Sequence, residues 1–386
     1  MATPLDDSLA RCRTLLETPL AEVAGGWKCA HPGGSVIGCF PVYTPAELIH
    51  ASGALPLGVL GAGNQVEIAH ADARFQSFVC SIVKSTLELG LTSRLDGVDA
   101  MVFHSICDPA RNLASVFKRN FPGVPVFYLH LPQNMGARAV EYLDAEYRRF
   151  LAGLAELNGR AATADDLRSS LALFDTWRAL VRGLYRVRAG SPEKLSAAEC
   201  YALVRAGTLM PVEEHAALLG AALPALEARP ARPKDRIRVV LEGSFCEQPP
   251  LELIERLEEA GCYLVDDDFL LGWRFFGQDV GAGSGDPVRA LAEAYVDASV
   301  YSGIKHDLRE PKAKHLLDKV RALRADAVVI LAAKFCEPAL FDYALYRKAL
   351  DEARIPHLFL EFEEKAWVFD RLRSEVETFV ESMLFA

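Results

Sequence analysis

The sequence predicts an α/β protein built as two doubly wound parallel-sheet lobes, with helical segments at the N-terminus and in the middle. Three observations predict it. Short apolar runs alternate with helical periods over residues 35–139 and again over 234–386, and that alternation makes a parallel sheet covered on both faces. Between about Val140 and Leu226 the strand signal vanishes and helix follows helix. The 386 residues, 51% of them hydrophobic, exceed what one compact core holds and point to two. The expected organisation is an N-terminal helical segment (1–34), a first lobe (35–139), a helical segment with linker (140–233) and a second lobe (234–386).

Residues 5–24 read as surface helix, with Leu9, Cys12, Leu15 and Leu16 at helical spacing and a break at Pro19. Gly25, Gly26 and the run Pro32–Gly34 are expected to end it. Val36–Phe40 is a short strand, Pro45 opens a helix, and Leu55–Leu60 is a second strand. A helix is predicted over Phe75–Leu89, stopping at Gly90 as a residue after the C-cap. Strands follow at Ala100–Ile106 and Val126–Leu131, around a helix at Ala110–Arg119. In the middle segment Thr163 caps one helix, and Ser196 with Glu199 forms a capping box for another. Arg229–Asp235 is a linker by composition. The second lobe reads as strand Ile237–Leu241, helix Leu251–Ala260, strand Tyr263–Val265, helix Ala313–Arg324, strand Ala327–Ala332, helix Phe341–Ala353 and strand Leu358–Leu360. The lobes repeat one architecture without a repeat visible at residue level.

Lys and Arg number 42 against 52 Asp and Glu, a net charge of −10, which disfavours nucleic acid as partner. No apolar run approaches the roughly 18 residues of a membrane span. The N-terminus lacks a basic segment followed by an apolar one, so a cytoplasmic protein is expected. The nine cysteines are Cys12, Cys29, Cys39, Cys80, Cys107, Cys200, Cys246, Cys262 and Cys336. An odd count without a signal peptide favours a reducing compartment, and no CxxC pair marks a zinc site.

Ligands in open parallel sheets bind beyond the carboxyl ends of the strands. Cys107, Cys246 and Cys336 follow predicted strands, Cys39 lies late in the first, and Cys80 falls in the helix after the second. Cys107 and Cys336 belong to different lobes, so a group bound to both lies between them. Thiolates suit zinc, copper(I) or iron–sulfur clusters, and ligands scattered along the chain suit a large bridging cluster better than one zinc ion. Inert strand-end cysteines remain the alternative at this point.

The segment Gly38–Pro56 (GCFPVYTPAELIHASGALP) resembles the N-terminal signature of the 2-hydroxyacyl-CoA dehydratase and benzoyl-CoA reductase family. Ser77–Cys80, Ser105–Asp108 and Lys334–Pro338 are similar to its three cysteine motifs, in order, and Ile355–Glu361 to the segment after the third. The length and the opening Thr3–Asp7 look most like the smaller of two homologous cluster subunits. The resemblance implies two α/β lobes with a [4Fe-4S] cluster in the cleft between them, bound by Cys80, Cys107 and Cys336. It leaves the fourth iron open or held by another group, for which Cys246 and Cys39 are candidates alongside a structural role. It also implies one-electron reduction of the aromatic ring of benzoyl-CoA to a cyclohexadiene-carbonyl-CoA, with ferredoxin as electron donor. Its partners would be a homologous larger cluster subunit and two activator-like subunits that bind ATP and Mg. A 2-hydroxyacyl-CoA dehydratase subunit and a non-catalytic electron-relay subunit are the alternatives.

No GxGxxG or GxxxxGK[ST] occurs in the chain, so Gly61–Gly63 and Gly281–Gly285 read as turns. His104 and His130 read as core strand histidines, with His104 also a candidate proton donor near Cys107. Asp108 and Glu337 are candidate acid–base groups, although capping of the following helix is the favoured reading. Glu47 reads as a first-turn acid placed by the helix dipole, Asp266–Asp268 as a solvated turn, and Lys334 and Arg274 as CoA-phosphate contacts or surface residues.

Overall fold

The computed structural model describes residues 3–41, 43–63, 66–244, 247–269, 277–281, 283, 285–298, 310–363 and 369–384. Two N-terminal helices, α1 (Pro4–Glu17) and α2 (Leu20–Ala30), break at Pro19 as expected. Thr3 caps α1, and Asp6 returns the bond to the Thr3 amide. Gly25 and Gly26 do not stop α2. Their surroundings are open, and the helix is held by Ala24, which packs with Val36, Leu55 and Leu57, so packing outweighs the glycines' low propensity.

The first sheet contains β1 (Val36–Cys39), β2 (Leu55–Gly58), β3 (Ala100–His104) and β4 (Val126–Leu129), all parallel in the order β2-β1-β3-β4. Its connections are α3 (Ala46–Ala51), α4 (Ala69–Asp72), α5 (Ser81–Leu91) and α6 (Asp108–Asn120). The helix predicted over Phe75–Leu89 is therefore helical only from Ser81, as α5. Residues 75–80 are not helical, and Cys80 has extended geometry (φ −58°, ψ 147°) as the N-cap of α5. Gly90 lies inside α5 rather than beyond it. A Cβ there would stand 2.7 Å from the Phe121 ring, so close packing explains this glycine.

Four helices follow: α7 (Ala139–Asn158), α8 (Ala164–Gly190), α9 (Ala197–Ala206) and α10 (Val212–Glu227). Thr163 and Ser196 cap α8 and α9 as expected, Ser196 through the predicted box with Glu199 and Thr163 through a further one with Asp166. The second sheet holds β5 (Ile237–Glu242), β6 (Cys262–Asp267), β7 (Ala327–Ala333) and β8 (His357–Phe362), again parallel, in the order β6-β5-β7-β8. Its helices are α11 (Leu251–Glu259), α12 (Pro287–Glu293), α13 (Lys312–Leu323), α14 (Glu337–Ala353) and α15 (Asp370–Leu384), with a π-helical turn at Ala294–Ala298. The sheets share one strand order, with switch points between β1 and β3 and between β5 and β7, where such folds bind ligands. The 27-residue α8 packs on both α3 and β6, so one apolar core runs from Phe103 through Leu184 to Leu331. Among the described residues no helix is long and apolar enough to cross a membrane.

Asp266 and Asp267 are not in a solvated turn. They end β6 and are 4% and 2% exposed. Asp267 accepts from Tyr185 Oη at 2.9 Å and pairs with Arg188 at 2.6 Å, both from α8. Lys319 lies 2.5 Å from Glu242 and 3.9 Å from Asp266. Partners from the long helix and from α13 replace the water that these two buried carboxylates otherwise require.

Candidate metal centre between the two sheets

Three helices begin at a cysteine. Cys80 is the N-cap of α5, Cys107 of α6 and Cys336 of α14. The last two occupy equivalent places, the first helical turn after the third strand of each sheet. There the sequence does repeat: Cys107-Asp108-Pro109-Ala110 matches Cys336-Glu337-Pro338-Ala339 in residue class at each step. Proline at the second helical position has a preset φ and lacks an N–H that would have no partner there, and the acid favours the positive helix end. Asp108 and Glu337 are thus exposed first-turn residues, and the cap positions belong to the cysteines.

The thiols are withdrawn from water. Cys80 and Cys336 are 7% and 8% exposed, and Cys107 is half-buried. Burial pushes all three thiols up, Cys336 to about 12 and Cys80 well above its ordinary value. Charge on Cys336 and on Cys107 also raises Cys80, and charge on Cys107 raises Cys336, so the three sulfurs lie within electrostatic reach across the lobes. The carboxylate of Glu337 acts likewise on Cys107 from the opposite lobe. Against this, the amide three residues along each helix (Val83, Ala110, Ala339) favours the thiolate, although none closes a full capping hydrogen bond.

Among the described residues, no three His, Cys, Asp or Glu side chains stand close enough to grip one metal ion. Three soft donors at the mouths of three helices, drawn from both lobes, have the donor chemistry of an iron–sulfur site. The residues present therefore suit the group implied by the sequence motifs. Cys246 lies outside the described residues. Cys39 ends β1, and its thiol turns back to donate to the carbonyl of Ile37 at 3.4 Å.

The neighbouring residue Glu247 was missed by sequence reasoning. Its carboxylate is 3% exposed and accepts from Ser81 Oγ and, at 3.2 Å, from Ile82 N–H at the start of α5. Its partners lie 165 and 166 residues away, so no local pattern announces it.

His104 is fully buried, and its Nε2 is 3.1 Å from Thr44 Oγ1. Burial lowers its pKa to about 3, which keeps the ring neutral and makes it a poor proton donor. His130 corrects the core reading: it lies exposed beyond β4, edge-on to Tyr128. Glu47 is in the first turn of α3, as expected, but is 5% exposed and ion-paired to Arg178, which also meets Asp175 at 2.8 Å. Lys334 pairs with Glu363 and sits 5.2 Å above the Phe335 ring. Arg274 lies outside the described residues. Gly61 and Gly63 adopt φ +78° and +52°, and Gly281 +82°, which accords with turns. A cavity of about 110 Å³, lined by Ser77, Val79, Ser81, Lys334 and Phe335, opens beside the segments that carry Cys80 and Cys336.

Twin parallel sheets of one strand order define a two-lobed α/β protein, with cysteines from both lobes at the starts of three helices. Residues 41–383 match the family described as 2-hydroxyglutaryl-CoA dehydratase, D-component, and the chain belongs to that family. Over 382 residues, 98% of each chain, it is 41% identical to a benzoyl-CoA reductase subunit, the one designated C, of Thauera aromatica. It is 29% identical to the beta subunit of lactoyl-CoA dehydratase of Anaerotignum propionicum, over 92% of this chain and 93% of the relative. It is 26% identical to the beta subunit of (R)-2-hydroxyglutaryl-CoA dehydratase of Acidaminococcus fermentans, over 91% and 93%. The chain is thus similar throughout to subunits of CoA-thioester reductases and dehydratases.

Proposed function

We propose that the chain is the smaller iron–sulfur subunit of an ATP-dependent benzoyl-CoA reductase, with Cys80, Cys107 and Cys336 holding a [4Fe-4S] cluster. One observation carries the reading: three cysteines from both lobes take the same N-cap position and feel one another's charge across the cleft. The 41% relative, from a benzoyl-CoA reductase, stands well above the 29% and 26% dehydratase relatives and supports reduction over dehydration. A bound cluster supplies single electrons at potentials reaching about −700 mV, as dearomatisation demands. The chain's own residues hold three thiolates, turn three positive helix ends toward them and keep water from Cys80 and Cys336. Partners supply the rest: a homologous larger cluster subunit, two ATP-binding activator-like subunits and a ferredoxin donor.

The test is turnover by the purified anaerobic complex. Benzoyl-CoA should be consumed with ATP and a strong reductant, giving a cyclohexadiene-carbonyl-CoA. No consumption, together with loss of water from a 2-hydroxyacyl-CoA, would instead establish the dehydratase reading. Turnover that survives loss of this chain's iron when an external reductant is supplied would make it an electron relay.

A further inference from the structure

The loop after β5 brings a second-lobe carboxylate onto the first-lobe helix that starts at Cys80. Ser81 and Ile82, the first two residues of α5, both donate to Glu247, whose carboxylate is almost wholly buried. The helix dipole stabilises a negative charge at that end. The same charge reaches two of the three thiols, Cys80 and Cys336. The proposed function leaves this carboxylate without a role.

We propose that Glu247 is a positioning residue of the thiol centre: it clasps the second lobe to the start of α5, and its fixed charge lowers the reduction potential of a cluster held there. The proposal rests on the cluster reading above. Reduction adds one electron from an external low-potential donor, with no bond made or broken. In a site of low dielectric, a fixed carboxylate opposes that added negative charge and disfavours the reduced form. Ser81 acts in the opposite sense, because its hydroxyl donates to the carboxylate and draws charge from it. A clasp without electrostatic effect leaves the potential where it is.

The test is a redox titration of the anaerobic complex followed by electron paramagnetic resonance, with iron and sulfide counted in each sample. The signal abolished by Cys336→Ser belongs to this chain. Glu247→Gln keeps the shape and removes the charge, and its midpoint should move positive. A midpoint at or below the wild-type value overturns the proposal. Where Glu247→Gln loses its iron, Ser81→Ala decides: its midpoint should move negative, and a value at or above wild type overturns the proposal. Iron absent from the wild-type chain removes the cluster reading and this proposal with it. Iron present with an unmoved midpoint removes the role of Glu247 alone.

Discussion

At Cys80, Cys107 and Cys336 a thiol stands where serine, threonine, asparagine or aspartate ordinarily caps a helix. The exchange weakens the cap but places a soft, ionisable donor at the positive end of a helix dipole. Buried histidines set the acid limit of the fold. His215 accepts from Trp177 Nε1 at 2.7 Å and donates to the Leu203 carbonyl at 2.8 Å, and burial lowers its pKa to about 4. The unfolded chain binds this proton near pH 6.5, so stability is intact above that pH and is lost progressively as pH falls from 6.5 to 4. His104, lowered to about 3, acts in the same direction. Chemical denaturation at a series of pH values should show His215→Gln losing about 1.4 kcal/mol per pH unit of slope in that window. An unchanged slope would mean that His215 is charged in the fold.

Among the elements, the strands are legible because each central one is a short run with no polar face, as in Ala327–Ala333. The strand ends placed Cys107 and Cys336 at the cleft by the same reasoning. The segment 75–80 misled because Phe75 and Val79 stand at helical spacing while Cys80 takes an extended conformation before α5. The Cys-acid-Pro-Ala repeat is plain in the sequence, yet its meaning needs the shared strand order to become visible. Glu247 and the Asp266–Asp267 pair were hidden because their partners lie on distant elements. Two glycines separate propensity from packing. Gly25→Ala, in the open interior of α2, should raise stability by about 0.5–1 kcal/mol. Gly90→Ala, whose Cβ would press on Phe121, should lower it by about 1–3 kcal/mol. Denaturant midpoints of the two variants decide, and equal shifts would contradict the packing account.

On the scale of the whole molecule, the lobes are tied through the long helix and through Glu247, which accepts from Ser81 and Ile82 at the start of α5. Arg188 of α8 and Asp267 of β6 are 1% and 2% exposed at their side chains and form the deepest of these ties. Asp267→Asn leaves a guanidinium buried without its counter-charge and should cost about 3–5 kcal/mol, whereas replacing both partners by apolar residues should cost far less. Equal losses from the single and double replacements, measured by denaturant unfolding, would show that the charge pair is not what is lost. The cluster proposed at Cys80, Cys107 and Cys336 lies beside this second tie. Its most direct measurement is the iron and acid-labile sulfide content of the anaerobically purified chain, compared with Cys80→Ser, Cys107→Ser and Cys336→Ser variants. About four of each per wild-type chain are expected, with a brown colour bleached by oxygen and severe loss in all three variants. A colourless wild-type chain without iron, or three serine variants that keep a full complement, would contradict it.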